Sequence, residues 1–206
     1  MNKKNKILWI SGISWLMEDN SYFPKASYPG IVSGSAFQQA IIEGLEDQDF
    51  EIDILTDCDM GSGNRIEWSH NNKSKDIRIA GNKNKILRIP TKIVCFFKEL
   101  CNEEYLKNYN YVIAYEMHLP YLFCLNIIKN KFPNIKTILI CPDLSLFMDL
   151  NAKNKRIKKF LKSVENVFMQ KMLKKVDGYV LFTRQMYQYF KKYNKKYVVV
   201  EGVFTR

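Results

Sequence analysis

The sequence predicts an α/β protein with a mostly parallel sheet and helices on both faces. Short apolar runs alternate with longer segments of helical periodicity along nearly the whole chain. The apolar runs do not alternate polar with apolar residues, which is typical of strands buried on both faces. Strands that alternate with helices form right-handed crossovers and therefore a parallel sheet. At 206 residues, the chain is long enough for one large domain.

The first part of the chain predicts a strand, a helix and a second strand. We expect strands at 7–13 and 50–56, a long loop over 14–33, and a helix over 35–48. The helix rests on Phe37, Ile41 and Leu45, which recur at helical spacing. Residues 57–85 are polar and rich in Gly and Asn, so we predict only short strands at 65–68 and 77–80. We expect this region to lie outside the main sheet.

The second part continues the alternation. Strands are predicted at 86–89, 111–115, 136–141, 178–182 and 197–200, and helices at 91–107, 119–131, 153–176 and 184–193. In the helix 153–176, apolar residues recur at the helical period, which predicts a buried stripe. The stripe comprises Ile157, Phe160, Leu161, Val164, Val167, Phe168 and Met172.

Polar residues follow the predicted strands at one edge of the sheet. Ligands of open parallel sheets bind beyond the carboxyl ends of the strands. Ser33-Gly34-Ser35 opens the first predicted helix, where glycine would let a ligand approach free backbone N–H groups. We predict a seat for a phosphate or a hydroxylated ligand there, or else an ordinary serine-capped helix. The segment 116–118 and the pair 142–143 fall on the same edge.

Other motifs argue against metals and cofactors. The chain contains neither G-x-G-x-x-G nor G-x-x-x-x-G-K-[ST], and its five cysteines and two histidines form no cluster. The odd number and wide spacing of the cysteines favour reduced thiols in the cytosol. Asp57-Cys58-Asp59 has the D-x-D spacing that can hold Mn²⁺ or Mg²⁺ against a diphosphate. Its position after the second strand favours a solvated turn, so we predict no metal site.

Positive charge is concentrated in the last quarter of the chain. Residues 1–152 hold 17 basic and 18 acidic side chains, whereas residues 153–206 hold 15 and 3. Such asymmetry favours an anionic partner, either a membrane surface or nucleic acid, although solvated lysines alone would also explain it. The basic region lacks a nucleic-acid-binding signature, so we favour the membrane. Its predicted contact residues are Lys155, Lys158, Lys159 and Lys162.

Five segments in a fixed order carry a family resemblance. They are S-G-S-A-F-Q-Q-A-I-I-E-G-L at 33–45, Y-V-I-A-Y-E at 111–116, I-C-P-D-L at 140–144, V-D-G-Y-V-L-F-T at 176–183, and V-V-V-E-G-V at 198–203. Together they resemble the N-terminal domain of GT-B glycosyltransferases of family 4. The resemblance covers essentially the whole chain.

The resemblance implies a Rossmann-like domain that is one half of a GT-B architecture. Residues 1–206 would be the acceptor-side domain, and the donor-side domain would be absent from them. The complete enzyme would transfer a sugar from a nucleotide-sugar donor to a sugar or lipid-linked acceptor in cell-surface polysaccharide assembly. It would retain configuration and need no essential metal. We expect the chain to be cytoplasmic or peripheral on the inner membrane face, and inactive without a donor domain that a separate polypeptide could supply.

The resemblance also suggests roles for individual residues. Glu116 and Asp143 are candidate catalytic residues, and both could also bind substrate. Ser33, Gly34, Ser35 and His118 are further candidates for substrate binding. Each has a structural alternative: Glu116 as a solvated strand-end carboxylate, His118 as a packed histidine and Asp143 as a turn cap. A non-catalytic binding or scaffold protein with the same fold, and a nucleic-acid-binding α/β domain, remain alternatives.

Overall fold

Eight strands form one sheet, and two short strands form a separate hairpin. The computed structural model describes residues 5–17, 22–23, 29–57, 64–82, 84, 87–144 and 155–200. The sheet strands are β1 (Lys6–Ser11), β4 (Glu51–Thr56), β5 (Ile66–Trp68), β6 (Asp76–Arg78), β7 (Tyr111–Tyr115), β8 (Lys136–Cys141), β9 (Gly178–Leu181) and β10 (Lys196–Val199). The hairpin strands are β2 (Trp15–Leu16) and β3 (Tyr22–Phe23).

Six α-helices are described. They are α1 (Pro29–Glu46), α2 (Arg88–Leu100), α3 (Glu103–Leu106), α4 (Leu119–Lys131), α5 (Lys155–Leu173) and α6 (Arg184–Phe190), and a 3₁₀ helix, Lys191–Tyr193, follows α6. The predicted strand at 86–89 is wrong, because Leu87 lies in a turn and Arg88 begins α2. The predicted helix 91–107 is two helices, with Asn102 capping the second through its side-chain oxygen.

The strand order confirms the predicted α/β class. The sheet runs β10-β9-β8-β7-β1-β4-β6-β5, and all neighbours are parallel except β5 and β6. The chain leaves β1 toward β4 on one side and later returns to β7 on the other. The order therefore reverses at β1, which is where open α/β sheets bind ligands. We call the edge formed by the carboxyl ends of β1, β4, β7 and β8 the rim.

Helices cover both faces of the sheet. One core cluster contains residues from α2, α4, α5 and α6, including Phe96, Leu125, Leu173 and Phe190. The other contains Trp9 and Ile54 from the sheet, together with residues of α1. Because α1 belongs to the second cluster, it lies on the face opposite to α5.

The polar region after β4 extends the sheet and does not hang away from it. β6 pairs in parallel with β4, and β5 pairs with β6 in antiparallel register. Asp76, at the start of β6, holds this addition in place because its Oδ1 accepts the backbone N–H of Ile54 at 2.8 Å. The prediction that residues 57–85 stay outside the sheet is therefore wrong for β5 and β6.

The predicted buried stripe of the long helix is partly wrong. Of its described members, Val164, Val167 and Phe168 are 39%, 52% and 53% exposed, and only Met172 is partly buried against the core. The buried residues of the helix are Met169 and Leu173, which the predicted stripe did not include. The helical period groups apolar residues on a face but does not reveal which face contacts the core. The side chains of residues 155–163, and with them Ile157, Phe160 and Leu161, lie outside the described part of the structure.

Candidate functional site

The floor of the rim is formed where β1 and β4 end side by side. The backbone N–H of Asp57 donates to the Ser11 carbonyl at 3.1 Å, and the Thr56 hydroxyl donates to the Ile13 carbonyl at 2.9 Å. These bonds continue the pairing of the two strands beyond their last residues. They fix Asp57 directly above the carboxyl end of the sheet.

Asp57 is the centre of a buried polar group. Its Oδ1 accepts a hydrogen bond from the Tyr121 hydroxyl at 2.5 Å, and its Oδ2 lies 2.6 Å from Lys92 Nζ. All three residues are buried. Lys92 comes from α2 and Tyr121 from α4, so the group joins two helices to the sheet. The interpretation of this segment as a solvated turn is wrong for Asp57, while Cys58 and Asp59 lie outside the described residues.

Gly12 allows this polar group to approach the end of β1. A Cβ atom at position 12 would lie 3.2 Å from the Tyr121 hydroxyl oxygen and 3.3 Å from Asp57 Oδ1. Such contacts are tight, and they involve atoms that are already fixed by a short hydrogen bond. Any larger residue here would displace the carboxylate or the phenol.

Glu116 stands at the end of β7 in an unusual backbone conformation. Its φ is 82°, a value that residues with a side chain adopt infrequently and that is often associated with functional sites. Its backbone N–H donates to the Ile140 carbonyl at 2.9 Å. Glu116 is exposed to solvent, but the surrounding protein partly desolvates its carboxyl group and raises its pKa. The negative charges of Asp57 and Asp143 raise the pKa further, against the opposing effect of Lys92. The three carboxylates therefore share one electrostatic environment.

His118 caps the start of α4 with its backbone and packs against Tyr121 with its ring. Its carbonyl accepts from the N–H groups of Tyr121 and Leu122, and the two rings meet edge-on at 5.0 Å. Burial lowers the pKa of His118, as do the cations Lys92 and Arg88, although Asp57 opposes them. The imidazole is therefore neutral near pH 7 and can donate or accept a hydrogen bond.

The structure places Glu116 near Asp143 at the ends of β7 and β8, and His118 at the start of α4 beside Tyr121. Their roles as catalytic or binding residues remain predictions. Sequence reasoning did not single out Lys92, Tyr121 or Gly12, and it considered Asp57 only as part of a D-x-D metal motif. For Asp57 and Gly12 the signal was available, because each directly follows an apolar strand. Lys92 and Tyr121 lie inside helices, where their residue types suggest an ordinary exposed lysine and a core tyrosine.

The Ser33–Ser35 segment differs from its prediction. α1 begins at Pro29, so these residues lie in its second turn, where backbone N–H groups bond to carbonyls of the first turn. The prediction that they form a helix start is wrong, since a proline is well tolerated at the first position of a helix. The buried Ser35 hydroxyl accepts the Ser14 N–H at 2.9 Å. The Ser33 side chain is outside the described part.

Gly34 nevertheless leaves an open surface on α1. A Cβ atom at this position would meet no other atom within 4 Å. A ligand could therefore touch the helix backbone here, although free N–H groups would not hold it. Ligand binding at Ser33, Gly34 and Ser35 stays a prediction.

Cavities at the opposite edge of the sheet share an ion pair in their lining. One cavity of about 440 Å³ includes Lys6 and Asp53 in its lining. Lys6 Nζ lies 2.8 Å from Asp53 Oδ2, which also accepts the Tyr109 hydroxyl at 2.5 Å. These paired charges hold β1, β4 and the start of β7 together, so we assign them a structural role. Among the described residues, no cluster of three or more His, Cys, Asp or Glu could hold a metal.

Comparison with known proteins identifies the fold. No protein-family model and no curated protein matches the chain. A solved structure of sucrose-phosphate synthase from Thermosynechococcus elongatus matches with a TM-score of 0.60 at 11% identity, covering 96% of this chain and 48% of that one. A shorter structure of the same enzyme matches with a TM-score of 0.56 at 11% identity, covering 95% and 87%.

These matches show the fold of the chain, an α/β Rossmann-like domain with a mostly parallel sheet. Sucrose-phosphate synthase is a GT-B glycosyltransferase, and this chain spans about half the length, 48%, of the longer structure. The mostly parallel sheet therefore matches one half of a GT-B enzyme. The likeness supports the GT-B part of the sequence resemblance, whereas membership of family 4 stays a prediction.

Proposed function

We propose that this chain is the acceptor-side domain of a GT-B glycosyltransferase that uses a nucleotide-sugar donor in cell-surface polysaccharide assembly. The observation that carries the proposal is the set of polar residues Glu116, His118 and Asp143 at the rim of a GT-B-like fold. Glu116 and Asp143 lie near each other where β7 and β8 end, and the neutral imidazole of His118 lies near Asp57 and Lys92 at the start of α4. Carboxylates and imidazoles are suitable partners for sugar hydroxyls.

The rim residues have two different roles in this proposal: Glu116 and Asp143 would contact the sugar, and the buried residues below them would support the site. Glu116 and Asp143 would accept hydrogen bonds from hydroxyls of the sugar and stabilise positive charge that develops on it during transfer. The raised pKa of Glu116 also makes a protonated, hydrogen-bond-donating form more accessible than for an ordinary glutamate. Asp57, Lys92 and Tyr121 are already bonded to one another and would hold the surface in place.

Sugar transfer would need a second, donor-side domain, on the same polypeptide or on another. Without such a domain, we expect residues 1–206 to fold but not to transfer sugar from a panel of nucleotide sugars to a membrane extract. With it, Glu116→Gln combined with Asp143→Asn should reduce transfer by about 100-fold, in the range of single electrostatic contributions to catalysis. The control is Glu51→Gln, an exposed carboxylate at the opposite edge.

Radiolabelled sugar in the product is the readout of this experiment. Robust turnover by the 206 residues alone would contradict the need for a second domain. Full activity of the Glu116 and Asp143 double variant would remove these residues from the mechanism. Binding of a sugar without turnover in any combination would favour a non-catalytic scaffold.

Two glycines on α1, Gly34 and Gly44, allow a test of whether the nucleotide sugar contacts the start of this helix. Gly34 and Gly44 both face open space, so valine fits at either position without a clash. We expect Gly34→Val to raise the Kd for the nucleotide sugar, in the reconstituted enzyme, on the order of tenfold, because its side chain blocks the surface beside the rim. Gly44→Val should leave the Kd unchanged. Equal affinities of the two variants in a titration would exclude a role for Gly34.

We also propose that the basic last quarter brings the domain to the inner face of an anionic membrane, where lipid-linked acceptors would be found. Each basic residue near such a surface contributes about 1 kcal/mol. Lys155, Lys158, Lys159 and Lys162 are the predicted contacts, and their side chains lie outside the described part of the structure. Among the described helices, none combines the length and apolarity that crossing a bilayer requires.

A further inference from the structure

α5 presents apolar residues and lysines on the same exposed face. At about 100° per residue, Val164, Val167, Phe168 and Lys171 fall within an arc of about 100°, and Lys174 follows in the turn directly after the helix. Val164, Val167 and Phe168 are the exposed apolar residues, and both lysines are exposed as well. This face combines the two components that an interfacial membrane helix needs, namely apolar side chains and basic ones.

The orientation of this face is fixed by contacts on the other side of the helix. Met169 and Leu173 are buried in the core cluster. The Asn126 amide of α4 donates to the Met172 carbonyl at 3.0 Å, which joins the end of α5 to its neighbour. α5 therefore cannot turn its apolar residues inward without breaking these contacts.

The sequence continues the apolar pattern of this face toward the start of α5, where the side chains lie outside the described part of the structure. In the sequence, Ile157, Phe160 and Leu161 belong to the same helical stripe as Val164, Val167 and Phe168. Exposed apolar stripes of this kind are uncommon on soluble monomers and mark interaction surfaces. The exposed apolar face of α5 is therefore expected to contact a partner.

Charge distinguishes an anionic bilayer from a second copy of the chain. In a two-fold symmetric dimer, the same patch meets itself, so that Lys171 and Lys174 of both copies would be brought together. Like charges across an interface are unfavourable. An anionic lipid surface instead attracts these lysines, and it also attracts the excess of 15 basic over 3 acidic residues in 153–206.

We propose that α5 lies in the interface of an anionic bilayer, with Val164, Val167 and Phe168 inserted among the lipids and the lysines at the level of the headgroups. The inference rests on the membrane association proposed above but changes its contact residues. At about 100° per residue, Lys155, Lys158, Lys159 and Lys162 fall on the opposite side of α5 from Val164, Val167 and Phe168, so Lys171 and Lys174 replace them as the basic contacts. The inference also replaces a purely electrostatic contact with one that has an apolar component. Binding should therefore weaken with salt but persist in part when the charges are screened.

A tryptophan placed in the face reports insertion directly. Phe168→Trp keeps an aromatic residue at an exposed position, so the fold should be unaffected. The control is Gly44→Trp on α1, which lies on the opposite face of the sheet and has open space around it. The three natural tryptophans are Trp9, Trp15 and Trp68, and all belong to or pack against the core cluster on the α1 side. They supply the same background in both variants.

The probe is a vesicle of phosphatidylcholine with roughly 30% phosphatidylserine, with and without bromine on the acyl chains. We expect brominated lipids to quench the emission of Phe168→Trp and not that of Gly44→Trp. In the natural sequence, Val167→Ser combined with Phe168→Ser should weaken vesicle binding at high salt by about tenfold or more, since two apolar side chains no longer leave water.

Each other outcome would overturn the proposal in a recognisable way. Salt-sensitive binding without quenching of Phe168→Trp would mean that the contact is electrostatic only. Absence of vesicle binding, together with a doubled mass in solution that Phe168→Ser abolishes, would mean that a second copy covers the face. Neither outcome affects the sugar-transfer assay, so the glycosyltransferase proposal is tested separately.

Discussion

Lys92→Met should lower the free energy of unfolding by about 3 kcal/mol, because it leaves the buried Asp57 carboxylate without its cation. Methionine fills a similar volume to lysine, so the lost stability would come from the missing charge and not from a cavity. The Tyr121 hydroxyl still donates to Asp57 but cannot neutralise it. Urea denaturation followed by circular dichroism measures the change.

A second substitution shows whether the charge is responsible. Lys92→Met combined with Asp57→Asn removes both charges, so most of the lost stability should return. Lys98→Met, at an exposed position of the same helix, should change stability by less than about 0.5 kcal/mol. If the double variant is as unstable as Lys92→Met alone, the ion pair is not what holds α2 to the rim.

Stability should fall by up to about 3 kcal/mol between pH 6.5 and pH 9 as His70 loses its proton. The His70 side chain is fully buried between two carboxylates: Nδ1 lies 2.7 Å from Asp76 Oδ2 and Nε2 lies 3.1 Å from Glu46 Oε1. Burial alone would lower the pKa of His70. Hydrogen bonds and charge from Asp76 and Glu46 outweigh burial and raise the pKa to about 9.

The direction of this effect follows from the raised pKa. Because the folded protein holds the proton more tightly than the unfolded chain does, the stabilisation is complete below pH 6.5. It is lost as the pH rises through the folded-state value near 9. Acidification from pH 7 to pH 6 should therefore not release the contact between α1 and the β5–β6 region.

The two histidines serve as controls for each other. His70→Gln should remove most of the pH dependence in this range, and the stability difference from the natural sequence should shrink toward pH 9. His118→Gln should keep the fall, because the pKa of His118 is lowered and its ring is already neutral. Thermal or urea unfolding at intervals of pH measures both. A flat profile for the natural protein would contradict the ionised His70 arrangement.

Repeated local patterns made most of the fold predictable from the sequence. The strand 111–115, the helix 119–131 and the strand 136–141 agree with the structure at both ends. Each of these three elements is an apolar segment followed closely by a residue that favours its termination, such as Pro142 directly after β8. The errors occur where apolar signals are short. β6 contains one large apolar residue, Ile77, and is fixed by the side chain of Asp76 more than by its own hydrophobicity.

The candidate site was predictable only where it follows strands. Glu116 and Asp143 could be located because the residue after a parallel strand lies at the ligand-binding edge. Lys92 could not, since its partner Asp57 is 35 positions away and the pairing depends on how α2 packs. Similarly, the exposed side of α5 could not be distinguished from its buried side, because both contain apolar residues.

The central position of β1 has a consequence for synthesis of the chain. β1 is synthesised before the other described strands of the sheet, yet its two sheet neighbours are β4 and β7, and Ile7 pairs with Ile52 on one side and Tyr111 on the other. One edge of β1, whose central residues Ile7–Ile10 are all apolar, therefore stays unpaired while about 60 further residues are made after β4, at roughly 5–20 residues per second. For several seconds the nascent chain exposes a surface suited to aggregation. We expect its yield in cells to depend on chaperones that bind short apolar segments near the ribosome exit.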